Sequence, residues 1–188
     1  MFYDLDDPNE FVKNIADCLH SNGIWIIQMA YLIPMLKLNG FDNIGHEHLE
    51  YYSVKALNVL IEKHGLKIFH VEKNDVYGGS IRAYMTHKNN NEISTSPSVQ
   101  NIIQDENNLG LDDMTIYNEF ADRVNKIKDK LRKFISEQVN NGKTVYVYGA
   151  STKGNTLLQF CNLDSKIIMK AIDRDERKIG KINSKKRK

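Results

Sequence analysis

The spacing of apolar residues in the first part of the chain predicts helix and strand in alternation. An amphipathic helix is predicted over 8–20, because apolar residues recur on one face and Pro8 suits a first helical turn. The run 24–29 is almost continuously apolar, which is typical of a strand buried on both faces of a parallel sheet. A short helix or helical loop is predicted over 30–38.

The same pattern continues through a helix and two strands. Ser53 is a suitable N-cap for a helix that ends at His64-Gly65. Strands are predicted over 66–71 and 80–86, with a turn at 74–79 between them. These two strands are expected to pair antiparallel.

The second half begins with a polar stretch rich in Asn and Ser, which predicts a linker. Helical spacing of apolar residues then predicts a long helix over about 112–139. A strand over 144–148, a glycine-bounded loop, a short helix and a strand over 167–172 complete a second α/β unit. The predicted domain limits are 1–88, a linker over 89–111, and 112–188.

Composition narrows the class of protein. The chain has 188 residues, of which 41% are hydrophobic and 27% charged, as in ordinary globular domains. No apolar run approaches the roughly 20 residues of a membrane span, and the acidic N-terminus lacks a signal-peptide pattern. The two cysteines are far apart and form no CxxC pair, so neither a metal site nor a disulfide framework is predicted. A cytoplasmic location is expected.

Basic residues are concentrated at the C-terminus. The segment 174–188 holds eight Lys and Arg side chains, although the net charge of the whole chain is only +2. A basic tail can bind nucleic acid or an anionic ligand. No aromatic residues alternate with these lysines, as nucleic-acid stacking requires, so we favour a solvated terminus and do not expect nucleic-acid binding.

Three consecutive residues, His46, Glu47 and His48, are the strongest candidates for chemistry. A neutral imidazole can accept a proton near neutral pH, and an adjacent carboxylate can orient it or raise its basicity. The alternative is a capping and hydrogen-bonding cluster at the start of the following helix. We favour the functional interpretation, because few structural needs call for this triplet.

The loop Gly149–Gly154 is the second candidate site. Strand, glycine-rich loop, helix, strand and Asp173 follow the outline of half a dinucleotide-binding fold. Helix N-terminal amides and Lys153 are suited to an anion such as phosphate. The spacing is neither GxGxxG nor a P-loop, so a purely geometric need for glycine stays open. Asp173 fits a ribose-hydroxyl acceptor or a strand-end cap.

Three phrases of the sequence resemble SAM-dependent C-methyltransferases that act on nucleotide-linked deoxysugars. The phrases are residues 41–49 (Phe-Asp-Asn-Ile and, one residue later, His-Glu-His-Leu), residues 77–82 (Tyr-Gly-Gly-Ser-Ile-Arg), and residues 148–155 followed by Asp173-Arg174. They occur in the order of that family. The chain is thereby identified as similar to its C-terminal half, with a partial class I methyltransferase (Rossmann-like) sheet, a long helix and a second small Rossmann-like unit.

The resemblance implies a mechanism and a set of residues. His48 would remove the proton alpha to a keto group of the sugar, and the resulting carbanion or enolate would take the methyl group from SAM. Glu47 would orient the substrate or tune the base, and His46 completes the candidate catalytic set. The implied substrate-binding residues are Tyr77, Ser80, Arg82, Gly149, Ser151, Lys153, Asn155 and Asp173.

The sequence also departs from the family pattern. Gly45 stands where the family has a tyrosine before His-Glu-His. The zinc-binding domain and the main SAM-binding loop of the family have no counterpart here, and the end of the chain resembles a shortened C-terminal domain. We therefore expect a truncated or split enzyme that needs a partner polypeptide or a homo-oligomer. The alternatives are a non-catalytic nucleotide-sugar-binding remnant or interaction module, and an unrelated nucleotide-binding α/β protein.

Overall fold

The fold was obtained as a computed structural model, which describes residues 2–180. Two compact units are present, one of 2–40 with 46–118 and one of 41–45 with 119–180. The helices are α1 (Pro8–Cys18), α2 (Leu32–Lys37), α3 (Val54–Lys63), α4 (Pro97–Leu109), α5 (Met114–Asn140) and α6 (Thr152–Phe160). The strands are β1 (Trp25–Ala30), β2 (Leu66–Asn74), β3 (Ser80–His87), β4 (Tyr146–Tyr148) and β5 (Lys170–Ile172). Short 3-10 turns cover Phe2–Asp4, Phe41–Asn43, Val76–Gly78 and Glu176–Lys178.

The first unit contains a three-stranded sheet in the order β1-β3-β2. The strands β2 and β3 pair antiparallel, as the sequence predicts. The prediction for β1 was wrong, because this strand pairs antiparallel with β3 and is not buried on both faces. Ile27 faces the core opposite Ala83, whereas the side chain of Ile26 is 52% exposed. The side chains of β1 therefore alternate between the core and an exposed face of the sheet.

One face of this sheet packs against helices and forms the core of the first unit. Ile81 and Met85 of β3 are fully buried together with Val12 of α1 and Ile61 of α3. The caps of these helices follow the sequence signals. Asp7 accepts a hydrogen bond from the Glu10 amide at 3.0 Å, and Ser53 accepts one from the Ala56 amide at 3.0 Å.

The segment predicted as a linker contains the helix α4. Ser96 caps this helix and Pro97 occupies its first turn. Its few apolar residues include Val99 and Ile102, which are buried in the core of the first unit. A segment that is polar on average can therefore form a packed helix, because two or three buried positions are enough to attach it. The domain limits at 88 and 112 stay a prediction.

The second unit consists of the long helix, a small parallel sheet and α6. The strands β4 and β5 pair in parallel, and Ile135 of α5 packs with Cys161, Leu163 and Ile168 in a separate core. Residues 41–45 belong to this unit. The α/β composition of both units confirms the predicted fold class and is compatible with part of a Rossmann-like methyltransferase fold.

Two predictions concern membranes and the terminal tail. No helix in residues 2–180 is both long and apolar enough to cross a membrane. Residues 181–188 of the basic tail lie outside the described residues, so its interpretation as a solvated terminus stays a prediction.

Candidate functional site

The His-Glu-His segment connects the 3-10 turn Phe41–Asn43 to the capped start of α3. The side chains of His46 and Glu47 are 86% and 64% exposed, with 3.8 Å between Nε2 of His46 and Oε1 of Glu47. An ion pair at such an exposed position contributes little to stability. The structure therefore presents these two side chains to solvent, where a ligand can reach them.

His48 is more enclosed than its neighbours because its ring packs against Tyr3. The ring centroids are 4.7 Å apart at an interplanar angle of 70°, an edge-to-face arrangement. The carbonyl of Tyr3 also accepts hydrogen bonds from the amides of Leu49 and Glu50, at 3.0 and 3.3 Å. Tyr3 thus fixes both the ring of His48 and the backbone that follows it. Sequence analysis did not identify Tyr3, because no local motif marks it.

The turn that carries Tyr77 contacts β1, as does the N-terminal turn that carries Tyr3. Burial first, and then the neighbouring Asp4 and Tyr77, raise the pKa of Tyr3. Tyr77 itself is 69% exposed and has a left-handed backbone with φ of 56°. Such strain in a non-glycine residue is more common at functional sites than elsewhere.

Two further residues of the predicted Tyr-Gly-Gly-Ser phrase have structural reasons to be there. A Cβ atom at Gly79 would lie 2.4 Å from Cβ of Pro34, and Gly79 has a φ of 123°. Only glycine fits this close approach. Ser80 is buried and its hydroxyl donates to the carbonyl of Val76 at 2.7 Å, which closes the turn. The predicted role of Ser80 in substrate binding stays a prediction.

The end of β1 joins the two candidate segments. The amide of Tyr31 donates to the carbonyl of Gly79, and the amide of Leu32 donates to the carbonyl of Tyr52, both at 3.2 Å. Tyr31 and Leu32, which directly follow β1, therefore hydrogen-bond to the Tyr77 turn and to the segment after His48, respectively. The structure brings His48 and Tyr77 to the same end of the sheet.

Arg82 lies further along β3 on the open face of the sheet. Its Nε and Nη2 donate to Oε1 of Gln28 at 3.1 and 2.8 Å, and its Nη1 lies 3.5 Å from Oε2 of Glu72. Among the described residues these contacts hold the guanidinium against neighbouring strands. A ligand that binds Arg82 would compete with Gln28 for the same donors.

In the second unit, the carboxylate of Asp173 closes the glycine-bounded loop. It accepts hydrogen bonds from the amide of Ala150 at 2.7 Å, the amide of Asp175 at 2.9 Å and Nζ of Lys178 at 2.8 Å. The hydrogen bond from Lys178, followed by the two amides, holds the pKa of Asp173 well below its usual range. These are the contacts of a strand-end cap, one of the two interpretations that the sequence left open.

The remaining residues of this loop surround the start of α6. Gly149 has a φ of 96°, and its amide donates to the carbonyl of Ile172 at 2.7 Å. Ser151 is the N-cap and accepts from the amide of Gly154 at 3.0 Å. Lys153 and Asn155 lie in the first turns of α6 and are partly exposed. Helix amides with a neighbouring lysine can attract an anion.

Comparison with known proteins identifies the family. Residues 75–187 match the family described as C-methyltransferase C-terminal domain. This chain belongs to the C-methyltransferase family. The resemblance of the three sequence phrases to C-methyltransferases is thereby confirmed.

The chain is also similar to C-methyltransferase NovU from Streptomyces niveus. The two are 35% identical over 181 residues, which cover 96% of this chain and 43% of NovU. The chain therefore spans less than half the length of this relative. The aligned part includes nearly all of both units, so the C-methyltransferase resemblance is not confined to the C-terminal domain.

Within a C-methyltransferase, the first-unit cluster can accept a proton. An imidazole that packs edge-to-face against Tyr3 and is only partly buried is suited to general-base catalysis. Tyr3 and Tyr77 add phenolic hydroxyl groups that can hydrogen-bond a polar substrate. Among residues 2–180, no group of three or more His, Cys, Asp and Glu side chains has the arrangement of a metal site.

Proposed function

We propose that this chain carries the catalytic base and the sugar-binding part of a SAM-dependent C-methyltransferase whose substrate is a keto-deoxysugar linked to a nucleotide. One observation supports this most directly. His48, held against Tyr3, lies at the same end of the first sheet as the Tyr77 turn. That placement joins two of the three phrases on which the family resemblance depends.

In the proposed reaction, His48 removes the proton from the carbon alpha to the keto group of the sugar. The electron pair of the broken C–H bond moves into an enolate, and the proton moves to the imidazole. Developing charge on the enolate oxygen needs a hydrogen-bond donor. We propose the exposed phenol of Tyr77 as that donor. Glu47 and His46 would orient the sugar at the solvent side.

The methyl donor in this proposal is SAM. The described residues do not fit SAM by themselves. The sheet of residues 2–118 is entirely antiparallel. Within residues 2–180, a strand followed by a glycine-containing loop and a helix occurs only at 146–160. In that loop, the amide of Ala150 already donates a hydrogen bond to Asp173. We propose that the contacts with SAM come from polypeptide outside these 188 residues.

The open edge of β1 supports such a contribution. In residues 2–180, β1 pairs only with β3, and Ile24 and Ile26 expose apolar side chains beside that edge. An exposed apolar edge strand is prone to pair with another strand. A covering segment, whether from a separate polypeptide, from a second copy or from further residues of the same protein, would bury this edge.

The proposed role of the second unit is to hold the nucleotide part of the substrate. The N-terminus of α6, with Gly149, Ser151, Lys153 and Asn155, offers amides and a positive charge to a diphosphate. Asp173 keeps the loop closed, so its predicted contact with a ribose hydroxyl would require one of its present donors to leave. A cytoplasmic location is part of this proposal.

Exchange of the alpha proton tests the proposal without any methyl donor. The purified chain is incubated in D₂O with a TDP-linked 4-keto-6-deoxysugar, and deuterium uptake at the carbons alpha to the ketone is followed by NMR. We expect uptake above the buffer rate that is lost in H48Q and only reduced in H46Q, because His48 is the proposed base whereas His46 would orient the sugar. Uptake at the buffer rate by the unchanged chain would contradict the proposed base.

Gly45, which stands where the family pattern has a tyrosine, favours a second function. Loss of the family tyrosine, together with a SAM site that the described residues do not form, is expected of a non-catalytic nucleotide-sugar-binding module. Calorimetric titration separates the two functions. Binding of the TDP-sugar without alpha-proton exchange would favour the binding module, and binding of SAM to the 188-residue chain would contradict the proposal that SAM contacts lie elsewhere.

A further inference from the structure

The most deeply buried charged side chain in the described part of the first unit is Glu106 of α4. It is 1% exposed, whereas the side chain of the neighbouring Asp105 is 61% exposed. A buried carboxylate is strongly unfavourable unless it is fully hydrogen-bonded. The partners of Glu106 therefore indicate why the chain retains a charge at this position.

Within residues 2–180, three donors reach Glu106, and all of them come from segments that build the candidate active site. Oε1 accepts from the hydroxyl of Tyr31 at 2.8 Å and from the amide of Val54 at 2.6 Å. Oε2 accepts from the amide of Lys55 at 2.8 Å. Val54 and Lys55 form the first turn of α3, where unpaired amides and the helix dipole favour a negative charge.

Tyr31 extends these contacts to the other candidate segment. Its side chain donates to Glu106, and its amide donates to Gly79, the residue that closes the Tyr77 turn. The next residue, Leu32, donates to Tyr52, which precedes the α3 cap Ser53. One carboxylate is thus connected through Tyr31 to the Tyr77 turn and through α3 to the segment that carries His48.

We propose that Glu106 is a positioning residue of the candidate active site. By joining the start of α3 to Tyr31, it sets the distance between the His48 segment and the Tyr77 turn. Glu106 does not touch the substrate, and its role in catalysis rests on the proposed function of His48. Its effect on the position of His48 is independent of that function.

A set of variants separates positioning from simple stabilisation. E106A removes all three hydrogen bonds, whereas E106Q keeps Oε1 for Tyr31 and Val54 and loses only the acceptor for Lys55. Y31F removes a single donor and leaves α3 capped. The matched control is D105A, because Asp105 is adjacent on α4 and its exposed carboxylate pairs with Lys73 at 3.0 Å.

The first readout is the Cε1–H resonance of His48 in the chain with ¹³C-labelled histidine, assigned with H48Q. Ring currents from Tyr3 make this resonance sensitive to the position of the imidazole. We expect it to move toward the shift of a solvent-exposed histidine in E106A, to move part of the way in Y31F, and to stay close to its original position in E106Q and D105A. If E106A does not fold, Y31F and E106Q still give the comparison.

The second readout is alpha-proton exchange. We expect a loss of about tenfold or more in E106A with less than threefold change in TDP-sugar affinity, because displaced reacting groups slow chemistry more than binding. Folded Y31F and E106A with an unchanged His48 resonance would overturn the proposal and leave Glu106 as a stabiliser of α3. Absence of exchange in the unchanged chain would contradict the proposed function only, since the histidine resonance still decides the positioning role.

Discussion

The ring of His48 lies edge-on against the ring of Tyr3, and the carbonyl of Tyr3 accepts hydrogen bonds from the two residues that follow His48. The N-terminal 3-10 turn Phe2–Asp4 is therefore part of the candidate active site. A general base is effective only where its reacting nitrogen is held in a defined direction. Tyr3 supplies this restraint from a distant part of the sequence.

Replacing Tyr3 tests how much the ring contributes. Edge-to-face aromatic pairs contribute about 0.5–1.5 kcal/mol beyond the area that they bury. We expect Y3L to lower the free energy of unfolding by about 1–2 kcal/mol and to shift the His48 Cε1–H resonance. The matched variant Y3F keeps the ring, so an equal shift in Y3F would assign the effect to the hydroxyl.

Local patterns predicted the elements around this site but not their contacts. The caps at Asp7 and Ser53 and the antiparallel pairing of β2 and β3 follow from signals within a few residues. Periodicity cannot report which distant residues meet. The hydrogen bond between Tyr31 and Glu106 joins residues 75 apart, and the ring contact between Tyr3 and His48 also crosses several elements.

The helix α4 shows how average polarity conceals a packed element. Its Ser96-Pro97 start is an ordinary cap followed by a first-turn proline. The residues before this cap are rich in asparagine and serine, and this composition led to the prediction of a linker. Because Glu106 and its neighbours Val99 and Ile102 are buried on this helix, the part missed by sequence analysis includes the residue that we propose positions the site.

The phenol of Tyr31 predicts a dependence of stability on alkaline pH. Burial first, and then the charge and hydrogen bond of Glu106, raise the pKa of Tyr31 above its ordinary value of 10. As the pH rises, the unfolded chain therefore loses the Tyr31 proton before the folded chain does. The contribution of Tyr31 to the free energy of unfolding is thus fully present below pH 10 and falls above it. The expected slope from this residue is about 1.4 kcal/mol per pH unit.

Urea unfolding of Y31F at pH 8 to 11 checks this dependence. The variant is expected to be less stable at pH 8, because Glu106 loses a donor, but to lose less stability above pH 10. Parallel curves for Y31F and the unchanged chain over this range would show that Tyr31 does not contribute the alkaline slope.

Asp173 predicts the opposite dependence in the second unit. Lys178 and the amides of Asp175 and Ala150 hold the pKa of this carboxyl below its unfolded value. Its contribution to stability is therefore present above about pH 4 and lost as the pH falls through the lowered folded pKa. We expect D173N to melt at a lower temperature at pH 7 and to show a smaller further decrease between pH 4 and pH 2.

The control for Asp173 is D129N on the exposed surface of α5. This substitution should leave both the melting temperature and its acid dependence close to those of the unchanged chain. If D173N and D129N behaved alike, the hydrogen bonds around the loop would contribute nothing to the stability of the second unit.

Gly79 is expected to be the least replaceable glycine of the Tyr77 turn. The Cβ of an alanine at this position would lie 2.4 Å from Pro34, and the alanine would have to adopt a φ of 123°. The Cβ of an alanine at Gly78 would meet no atom within 4 Å. We expect G79A to destabilise the fold by about 3 kcal/mol through overlap and backbone strain, and G78A by about 1 kcal/mol through strain alone. Chemical denaturation measures both, and equal losses would show that Pro34 moves away freely.

Gly45 offers the opposite case, a glycine that the structure does not require. A Cβ atom there has no neighbour within 4 Å, and Gly45 is not among the glycines with positive φ. The variant G45Y should therefore fold with unchanged stability, within about 0.5 kcal/mol. It would restore the phenol that the family has beside His-Glu-His.

If that missing hydroxyl limits stabilisation of the enolate, G45Y should increase alpha-proton exchange by about tenfold, whereas G45F should not. One added hydrogen bond to a developing oxyanion is sufficient for such an increase. An increase in G45Y alone would indicate that the site retains its base and substrate geometry and has lost a single donor. Equal rates in G45Y, G45F and the unchanged chain would indicate that Tyr77 or another group already supplies the donor.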